Sequence, residues 1–151
     1  RTMARYTIIA AIDEEGGIGK DGGIPWDYPA DRKFFRDTTM GHAILVGTKT
    51  YRTLPALYGR KVYRISRSRQ PCTFEVEDIL IGFKNQDEEV FIAGGAEIYA
   101  AFMPHVTRML ITRIPGKHGC DTFFPECAAN KVCHVAHKSG AVFEEWDFSG
   151  L

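Results

Sequence analysis

Short apolar runs, separated by polar and glycine-rich segments, recur along this chain. The runs at 6–12 and 42–47 are almost unbroken and contain several β-branched residues. Such runs are typical of strands buried on both faces of a parallel sheet. Shorter runs also predict strands, at 61–66, 72–76, 90–93, 108–114, 131–138 and 141–148. The last two are predicted to form a closing hairpin around Ser139 and Gly140.

Helical patterns alternate with these strands. Pro29 suits the first position of a helix, and the pattern behind it continues to about Met40. Further helices are predicted after Gly47, at 77–83 and after Gly95. The alternation predicts one α/β domain over residues 3–151, with about eight strands in a mostly parallel mixed sheet and about four flanking helices. Residues 1–2, which precede a methionine, are expected to be an expression remnant.

Composition narrows the function classes. Nineteen basic and nineteen acidic residues give a formal net charge of zero, so the overall charge does not favour nucleic acid or an anionic membrane surface. The four cysteines form no CxxC pair, and no histidine lies at zinc-ligand spacing from them. Unpaired thiols, no metal and a cytosolic location are therefore expected, with a monomer as the default. No apolar run approaches the roughly 20 residues that span a bilayer.

The strongest candidate for chemistry is the segment 24–35, IPWDYPADRKFF. Helical spacing places Asp31 on the same side as Phe34 and Phe35, so one carboxylate lies among aromatic rings. Two interpretations stay open from these residues alone. Asp31 is either a binding or catalytic acid, or a surface aspartate that stabilises the helix start with core phenylalanines behind it.

The segment 13–26 leads into this helix and contains five glycines. Such a segment is predicted to be too flexible for a packed element, yet Ile18, Ile24 and Trp26 are apolar and need something to cover. We therefore predict a mobile flap over a site, with an ordinary surface loop as the alternative. The glycines do not follow the GxGxxG spacing, so this is not a dinucleotide fingerprint.

Three strand ends carry groups suited to anions. These are the turn GTKT at 47–50, the turn SRSR at 66–69, and the paired glycines at 94 and 95 between a strand and a helix. Backbone N–H groups, hydroxyls and guanidinium groups bind phosphate, and ligands of open α/β sheets gather at the carboxyl edge. Each segment alone is also compatible with an ordinary polar turn.

Together these motifs resemble one family. The segments IAAI, GGIGKDGGIPW, PADRKFF, ILVGTKTY, LYGRK, IAGGAEIY, LITRI and CDTFFP stand in the order and spacing of the dihydrofolate reductases, over nearly the whole chain. The resemblance implies that family's fold and the NADPH-dependent reduction of 7,8-dihydrofolate to tetrahydrofolate. Two alternatives remain: a non-catalytic relative that binds nucleotides or assembles with other proteins, and the NADPH-dependent reductase of riboflavin synthesis.

The resemblance also implies substrate contacts. Asp31, assisted by Thr112, would bind the 2-amino group and the adjacent ring nitrogen of the pteridine. Trp26 would hold a water near this acid, and Ile24 would close over the nicotinamide. The remaining substrate contacts would be Ala11, Arg32, Phe35, Leu54, Leu57 and Arg60, of which the last would bind the carboxylate of the glutamate tail.

Cofactor contacts follow from the same resemblance. Ala11 and Ile18 would flank the nicotinamide, and Ser66 with Arg67 would contact the adenosine 2′-phosphate. The remaining NADPH contacts would be Gly19, Gly47, Thr48, Lys49, Thr50, Ala93, Gly94, Gly95, Ala96, Glu97, Ile98 and Tyr99. A cis peptide bond is implied between the paired glycines.

Two departures from the family pattern concern specificity. Thr48 stands where many relatives have an arginine for the 2′-phosphate, so the preference for NADPH over NADH is expected to depend on Lys49 and Arg67. Arg32 stands where an apolar residue usually contacts the aminobenzoyl ring. Its charge is expected to reach toward the carboxylates of the substrate tail.

Overall fold

The computed structural model describes residues 3–68, 70–126, 132–138 and 141–148. Within these ranges the strands are β1 (Arg5–Ile12), β2 (Gly17–Gly19), β3 (Ala43–Gly47), β4 (Lys61–Ile65), β5 (Glu89–Ile92), β6 (Val106–Arg113), β7 (Thr122–Phe123), β8 (Val132–Lys138) and β9 (Ala141–Asp147). The helices are α1 (Pro29–Thr39), α2 (Thr48–Thr53), α3 (Val76–Gly82) and α4 (Ala96–Phe102), and a 3-10 turn, Met103–His105, follows α4. None of the helices in these ranges is long and apolar enough to cross a membrane.

One large sheet organises the domain. Its strand order is β4–β3–β5–β1–β6–β9–β8. Parallel ladders join the first five of these strands, whereas β9 runs antiparallel to both β6 and β8. The predicted α/β domain with a mostly parallel mixed sheet is therefore confirmed. The predicted closing hairpin is β8–β9, and its turn at Ser139 and Gly140 lies outside the described residues.

The strand predicted at 72–76 is wrong. The structure has only an isolated bridge there, between Phe74 and Ile65. Cys72 has a φ of 63°, which is a left-handed conformation typical of a turn. The chain turns at this cysteine and then enters α3, which begins with a capping box formed by Glu75 and Asp78.

The core explains why the apolar runs form central strands. Ile8 of β1 lies opposite Ile92 of β5, and both have no exposed surface. On the other face of the sheet, Ile9, Phe91 and Leu110 form a smaller cluster against which Phe34 and Phe35 of α1 pack. Each large apolar side chain buried in this way contributes about 1.5–3 kcal/mol. The phenylalanine pair thus fixes α1 on the sheet.

The parallel strands end at one edge, where the predicted site residues collect. Ala11 lies opposite Thr112 in the ladder between β1 and β6. Gly47 lies opposite Ile65 in the ladder between β3 and β4. The N–H of Ala93, just after β5, donates to the carbonyl of Leu45 at 2.9 Å. In an open α/β sheet this carboxyl edge is where ligands bind.

The glycine-rich segment 13–26 contains more regular structure than its composition predicts. β2 pairs antiparallel with β7, with Gly17 opposite Phe123 and Gly19 opposite Thr122. The expectation that this segment is too flexible for a packed element is therefore wrong. A small second sheet ties the flap to the loop that follows β6.

Candidate active site

Asp31 lies in the first turn of α1, which begins at Pro29. Its carboxylate is half-buried and accepts a hydrogen bond from the hydroxyl of Thr112. Burial raises the pKa of Asp31, and the bond from Thr112 offsets only part of that effect. Because Thr112 is itself buried in β6, it holds the acid at a fixed place on the sheet edge.

The charge of Asp31 also acts on a buried phenol, that of Tyr99. Tyr99 of α4 donates its hydroxyl hydrogen to the carbonyl oxygen of Ile9 at 2.9 Å. Burial raises the pKa of Tyr99, and the negative charge of Asp31 raises it further. Tyr99 therefore stays neutral and remains a hydrogen-bond donor.

Aromatic contacts fix the chain on both sides of Asp31 in sequence. Before it, the ring of Trp26 meets the ring of His118 edge-on, with 5.1 Å between centroids. After it, Phe34 packs on Phe143 with 4.8 Å between centroids. These contacts anchor the loop that precedes α1 and the helix itself to different parts of the domain.

The turns after β3 and β5 meet in what we call the glycine cradle, formed by Gly47, Thr50, Gly94 and Gly95. The N–H of Gly47 donates to the carbonyl of Gly94 at 2.8 Å. The peptide bond between Gly94 and Gly95 is cis, as the resemblance implies. A Cβ atom added at Gly95 would lie 3.5 Å from the hydroxyl oxygen of Thr50. Without that atom, backbone groups and one hydroxyl face the space at the sheet edge.

A steric limit also keeps Gly47 free of a side chain. A Cβ atom there would lie 2.9 Å from Cγ1 of Ile98 in α4. Real Cβ contacts are essentially never this short, so even alanine would force the Ile98 side chain or the turn to shift. The packing of Ile98 against the end of β3 therefore depends on this glycine.

Charged and hydroxyl groups lie beside the cradle. Arg67, just beyond β4, donates from Nη2 to Oε1 of Glu97 in the first turn of α4, at 3.1 Å. The hydroxyl of Ser66 donates to the carbonyl of Ser68 at 2.9 Å. Lys49 in α2 is exposed. This end of the sheet thus offers cations and hydroxyls close to the glycine turns.

The residues expected at the substrate tail are more dispersed. Arg60 donates from Nε to the carbonyl of Tyr58 at 3.0 Å. Arg32 forms an exposed ion pair with Asp27. In this structure the charge of Arg32 is matched by its neighbour, so an approach to a ligand carboxylate requires that pair to open.

The edge can therefore bind two chemical types side by side. The Asp31 carboxylate accepts N–H groups of a heteroaromatic ring, and the glycine cradle presents backbone groups and a hydroxyl to phosphates. β1 lies between the strand of Thr112 and the strand that leads into the cradle. A ring held on one side of β1 would lie close to a phosphate-bearing ligand held on the other.

Comparison with known proteins decides the family. A family model described as "Dihydrofolate reductase" matches residues 5–148. The dihydrofolate reductase of Staphylococcus haemolyticus is 37% identical over 131 residues, which are 82% of this chain and 78% of that protein. The dihydrofolate reductase of Neisseria gonorrhoeae is also 37% identical over 131 residues, which are 82% of this chain and 81% of that protein. The chain belongs to the dihydrofolate reductase family.

A solved dihydrofolate reductase shares the fold. The enzyme from Enterococcus faecalis, complexed with NADP(H) and RAB-propyl, has a TM-score of 0.83 to this structure, with 24% sequence identity and 95% of each chain covered. At that identity the likeness concerns the fold alone. The predicted dihydrofolate reductase fold and family are both confirmed.

Besides the substrate-tail residues, Ile24 also departs from the position that the dihydrofolate reductase resemblance assigns. Ile24 is 64% exposed in the flap. Ile18, by contrast, lies within β2 and packs against the main core. The flap in this structure therefore holds its β2 strand inward and its Ile24 end outward. The assigned roles of these residues stay predictions.

Sequence reasoning missed the carboxylate that fixes the flap. Asp13 directly follows β1 and is only 2% exposed. It accepts hydrogen bonds from the N–H groups of Glu15 at 2.9 Å, Gly17 at 2.8 Å and His118 at 3.1 Å. Burial alone would raise the pKa of Asp13, but these bonds and the thiol of Cys120 outweigh it, so the pKa is lowered.

Cys120 fills the space that Gly17 leaves open. A Cβ atom at Gly17 would lie 2.4 Å from Cβ and 2.5 Å from Sγ of Cys120. The Cys120 thiol in turn lies 3.5 Å from the Asp13 carboxylate. We call Asp13, Gly17, His118 and Cys120 the flap network. The available sequence signal was an aspartate placed between a buried strand and a glycine-rich segment.

Proposed function

We propose that this protein reduces 7,8-dihydrofolate to tetrahydrofolate with NADPH, and that Asp31 is the acid that holds the pteridine. Family membership supports the reaction, and the predicted enzyme class and cofactor are those of the family. The observation that carries the residue assignment is the hydrogen-bonded pair of Asp31 and Thr112, separated from the glycine cradle by one strand, β1.

The reaction needs a proton on the imine nitrogen beside the carbon that receives hydride. A carboxylate that accepts two N–H bonds from the pteridine fixes the ring and favours its protonated form. Asp31 is suited to this role because Thr112 engages its carboxylate with a single hydroxyl bond, leaving acceptor capacity for the substrate. A water held near Trp26 delivers the proton, and Asp31 acts on it through electrostatics and orientation.

The glycine cradle fits the phosphates of a dinucleotide because side chains at its glycines would fill the space or force neighbouring groups to shift. NADPH, when bound, supplies the hydride from its nicotinamide. Ala11 and Ile18 would flank that ring, and Thr50 with the cradle backbone would hold the pyrophosphate. Further along the edge, Lys49 and Arg67 favour the cofactor that carries a 2′-phosphate.

The substrate tail extends from Asp31 toward α2. Phe35, half-buried in α1, stacks on the pteridine, and the half-buried Leu54 and Leu57 line the channel for the aminobenzoyl group. Arg60 uses Nε for the carbonyl of Tyr58, and we assign its two Nη groups to the tail carboxylate. A guanidinium can bind both carboxylate oxygens at once, which lysine cannot do.

Two other functions on the same fold are less well supported. A non-catalytic relative would not need an acid, a partner hydroxyl and an aromatic wall together. The reductase of riboflavin synthesis would not need Arg60 or an acid among aromatic residues. This chain has all five residues that separate the reductase from these alternatives, Trp26, Asp31, Phe35, Arg60 and Thr112. A cytosolic location and a monomeric state stay predictions.

The direct test is the loss of NADPH absorbance on addition of dihydrofolate, run beside NADH. Asp31→Asn should lower kcat by about 100-fold or more, because a neutral amide cannot favour the protonated pteridine. Asp37→Asn makes the same change on the exposed side of the same helix, where Asp37 pairs with Lys33 at 2.6 Å. This control should change kcat by less than about twofold. Absence of dihydrofolate-dependent NADPH oxidation in the wild type would contradict the proposal.

A further inference from the structure

The guanidinium of Arg67 already forms an ion pair with another side chain, that of Glu97. Its Nη2 lies 3.1 Å from Oε1 of Glu97, although the two residues belong to different turns of the sheet edge. Both side chains are largely exposed, at 89% for Arg67 and 77% for Glu97. The contact links the turn after β4 to the turn after β5, across the end of β3.

Such a pair is easily exchanged for a stronger one. An exposed ion pair contributes little, because water screens it and two long side chains must be held in one geometry. A phosphate monoester carries more negative charge than a carboxylate and offers a guanidinium several strong acceptor oxygens. A phosphate that reaches Arg67 must displace Glu97, and the displaced carboxylate then remains nearby as a like charge.

The other described groups at this edge offer few cations that could replace Arg67 in binding a phosphate. Thr48 contributes a hydroxyl and no charge, and Lys49 is exposed and forms no ion pair with the described residues. Ser66 and Ser68 hydrogen-bond to each other and bring no charge. Arg67 is therefore the cation whose availability the neighbouring carboxylate controls.

We propose that Glu97 is a specificity-determining residue that weakens the preference for NADPH over NADH by pairing with Arg67. This inference rests on the proposed function, which assigns Arg67 to the 2′-phosphate. Glu97 acts mainly on NADPH, because NADH has no phosphate that competes for the guanidinium.

The test is equilibrium binding of NADPH and of NADH to the full chain, followed by tryptophan fluorescence. Glu97→Gln should raise the ratio of the NADH Kd to the NADPH Kd by about twofold to fivefold, the range of one exposed ion pair. Glu77→Gln makes the same charge change in the first turn of α3 and is the matched control. The ratio for this control should stay at the wild-type value.

A second pair of variants locates the effect. In an Arg67→Gln background, Glu97→Gln should raise the ratio clearly less than it does beside Arg67, because the cation for which the two anions compete is gone and only the repulsion between carboxylate and phosphate is relieved. An equal tightening of both dinucleotides, an unchanged ratio, or an increase that is as large without Arg67 as with it would each overturn the inference. The binding ratio does not depend on turnover, so a protein that discriminates as expected but does not oxidise NADPH with dihydrofolate would contradict the proposed function and leave this inference standing.

Discussion

Asp13 and Asp31 lie at the same edge of one sheet, and their acidities are shifted in opposite directions. Asp13 accepts three backbone N–H bonds, and its pKa is lowered although it is 2% exposed. Asp31 is less buried and accepts one hydroxyl bond, and its pKa is raised. Burial raises the pKa of both carboxylates, and the hydrogen-bond donors outweigh that effect at Asp13 but not at Asp31.

Under the proposed function, this difference separates a structural acid, Asp13, from an acid that binds substrate, Asp31. An ionised carboxylate has about four acceptor positions. The backbone and the Cys120 thiol use those of Asp13, which therefore stabilises the fold and has little left for a ligand. Most acceptor positions of the Asp31 carboxylate have no donor among the described residues, so a substrate with N–H groups can supply the missing donors.

Asp13→Asn should produce the largest loss of stability. The variant removes the charge and turns an amide N–H₂ toward N–H donors, so at least one donor loses its partner. We expect the free energy of unfolding at pH 7 to fall by about 3 kcal/mol, measured by urea denaturation. Asp37→Asn, on the exposed side of α1, should change it by less than about 0.5 kcal/mol. Equal stability of the Asp13 variant and the wild type would mean that the backbone hydrogen bonds to Asp13 do not contribute to the free energy of unfolding.

Gly17→Ala tests the same network through packing. The new methyl group would overlap Cys120, and we expect a loss of about 2 kcal/mol in the free energy of unfolding. Gly23→Ala is the matched control in the same flap, because a Cβ atom there meets only the carbonyl of Lys20 at 3.9 Å. Adding Cys120→Gly to Gly17→Ala should recover more than half of the loss. If the double variant did not recover stability, the loss caused by Gly17→Ala would not come from overlap with Cys120.

Asp31→Asn should change the free energy of unfolding in the opposite direction to Asp13→Asn. Because ionising the half-buried Asp31 costs free energy, the neutral amide should raise the free energy of unfolding at pH 7 by up to about 1 kcal/mol. The same variant loses turnover, so stability and activity separate at this position. A variant that is both less stable and less active would show that Asp31 is a structural acid like Asp13.

The smallest expected effect is the pH dependence of the stability difference between each aspartate variant and the wild type. The pKa of Asp13 is lowered, so its stabilisation is present above the unfolded value of about 3.9 and is lost as the pH falls through the folded value. The pKa of Asp31 is raised, so its cost grows as the pH rises from the unfolded to the folded value. Urea curves from pH 7 to pH 3 should show both variants converging on the wild type in acid. A difference that stays constant over this range would contradict the assignment.

Much of the fold is visible in the sequence because its signals are local. The unbroken apolar run of β1 and the paired glycines after β5 each report a local requirement, for burial or for close backbone approach. Asp31 was recognisable for the same reason, since Pro29 and the phenylalanine pair define its helix and the face that it shares. The predicted strand at 72–76 failed because a left-handed Cys72 turns the chain, which apolar patterning does not record.

The flap network was not visible because its contacts join distant parts of the chain through backbone groups. Asp13 binds the N–H of His118, and Gly17 lies opposite Phe123. A backbone N–H is present at every residue except proline, so no residue type marks the partner. The size match between Gly17 and Cys120 appears only when the two strands are placed side by side.

The position of β1 has a consequence for how the chain folds. β1 is a central strand whose two neighbours, β5 and β6, both come much later in the chain, with Arg5 opposite Glu89 and Ile9 opposite Leu110. During translation its apolar run must wait until both partners have emerged from the ribosome. Such long-range parallel pairing folds slowly and leaves hydrophobic chain exposed in the meantime. Until β5 and β6 are available, β1 is therefore open to aggregation and to chaperone binding.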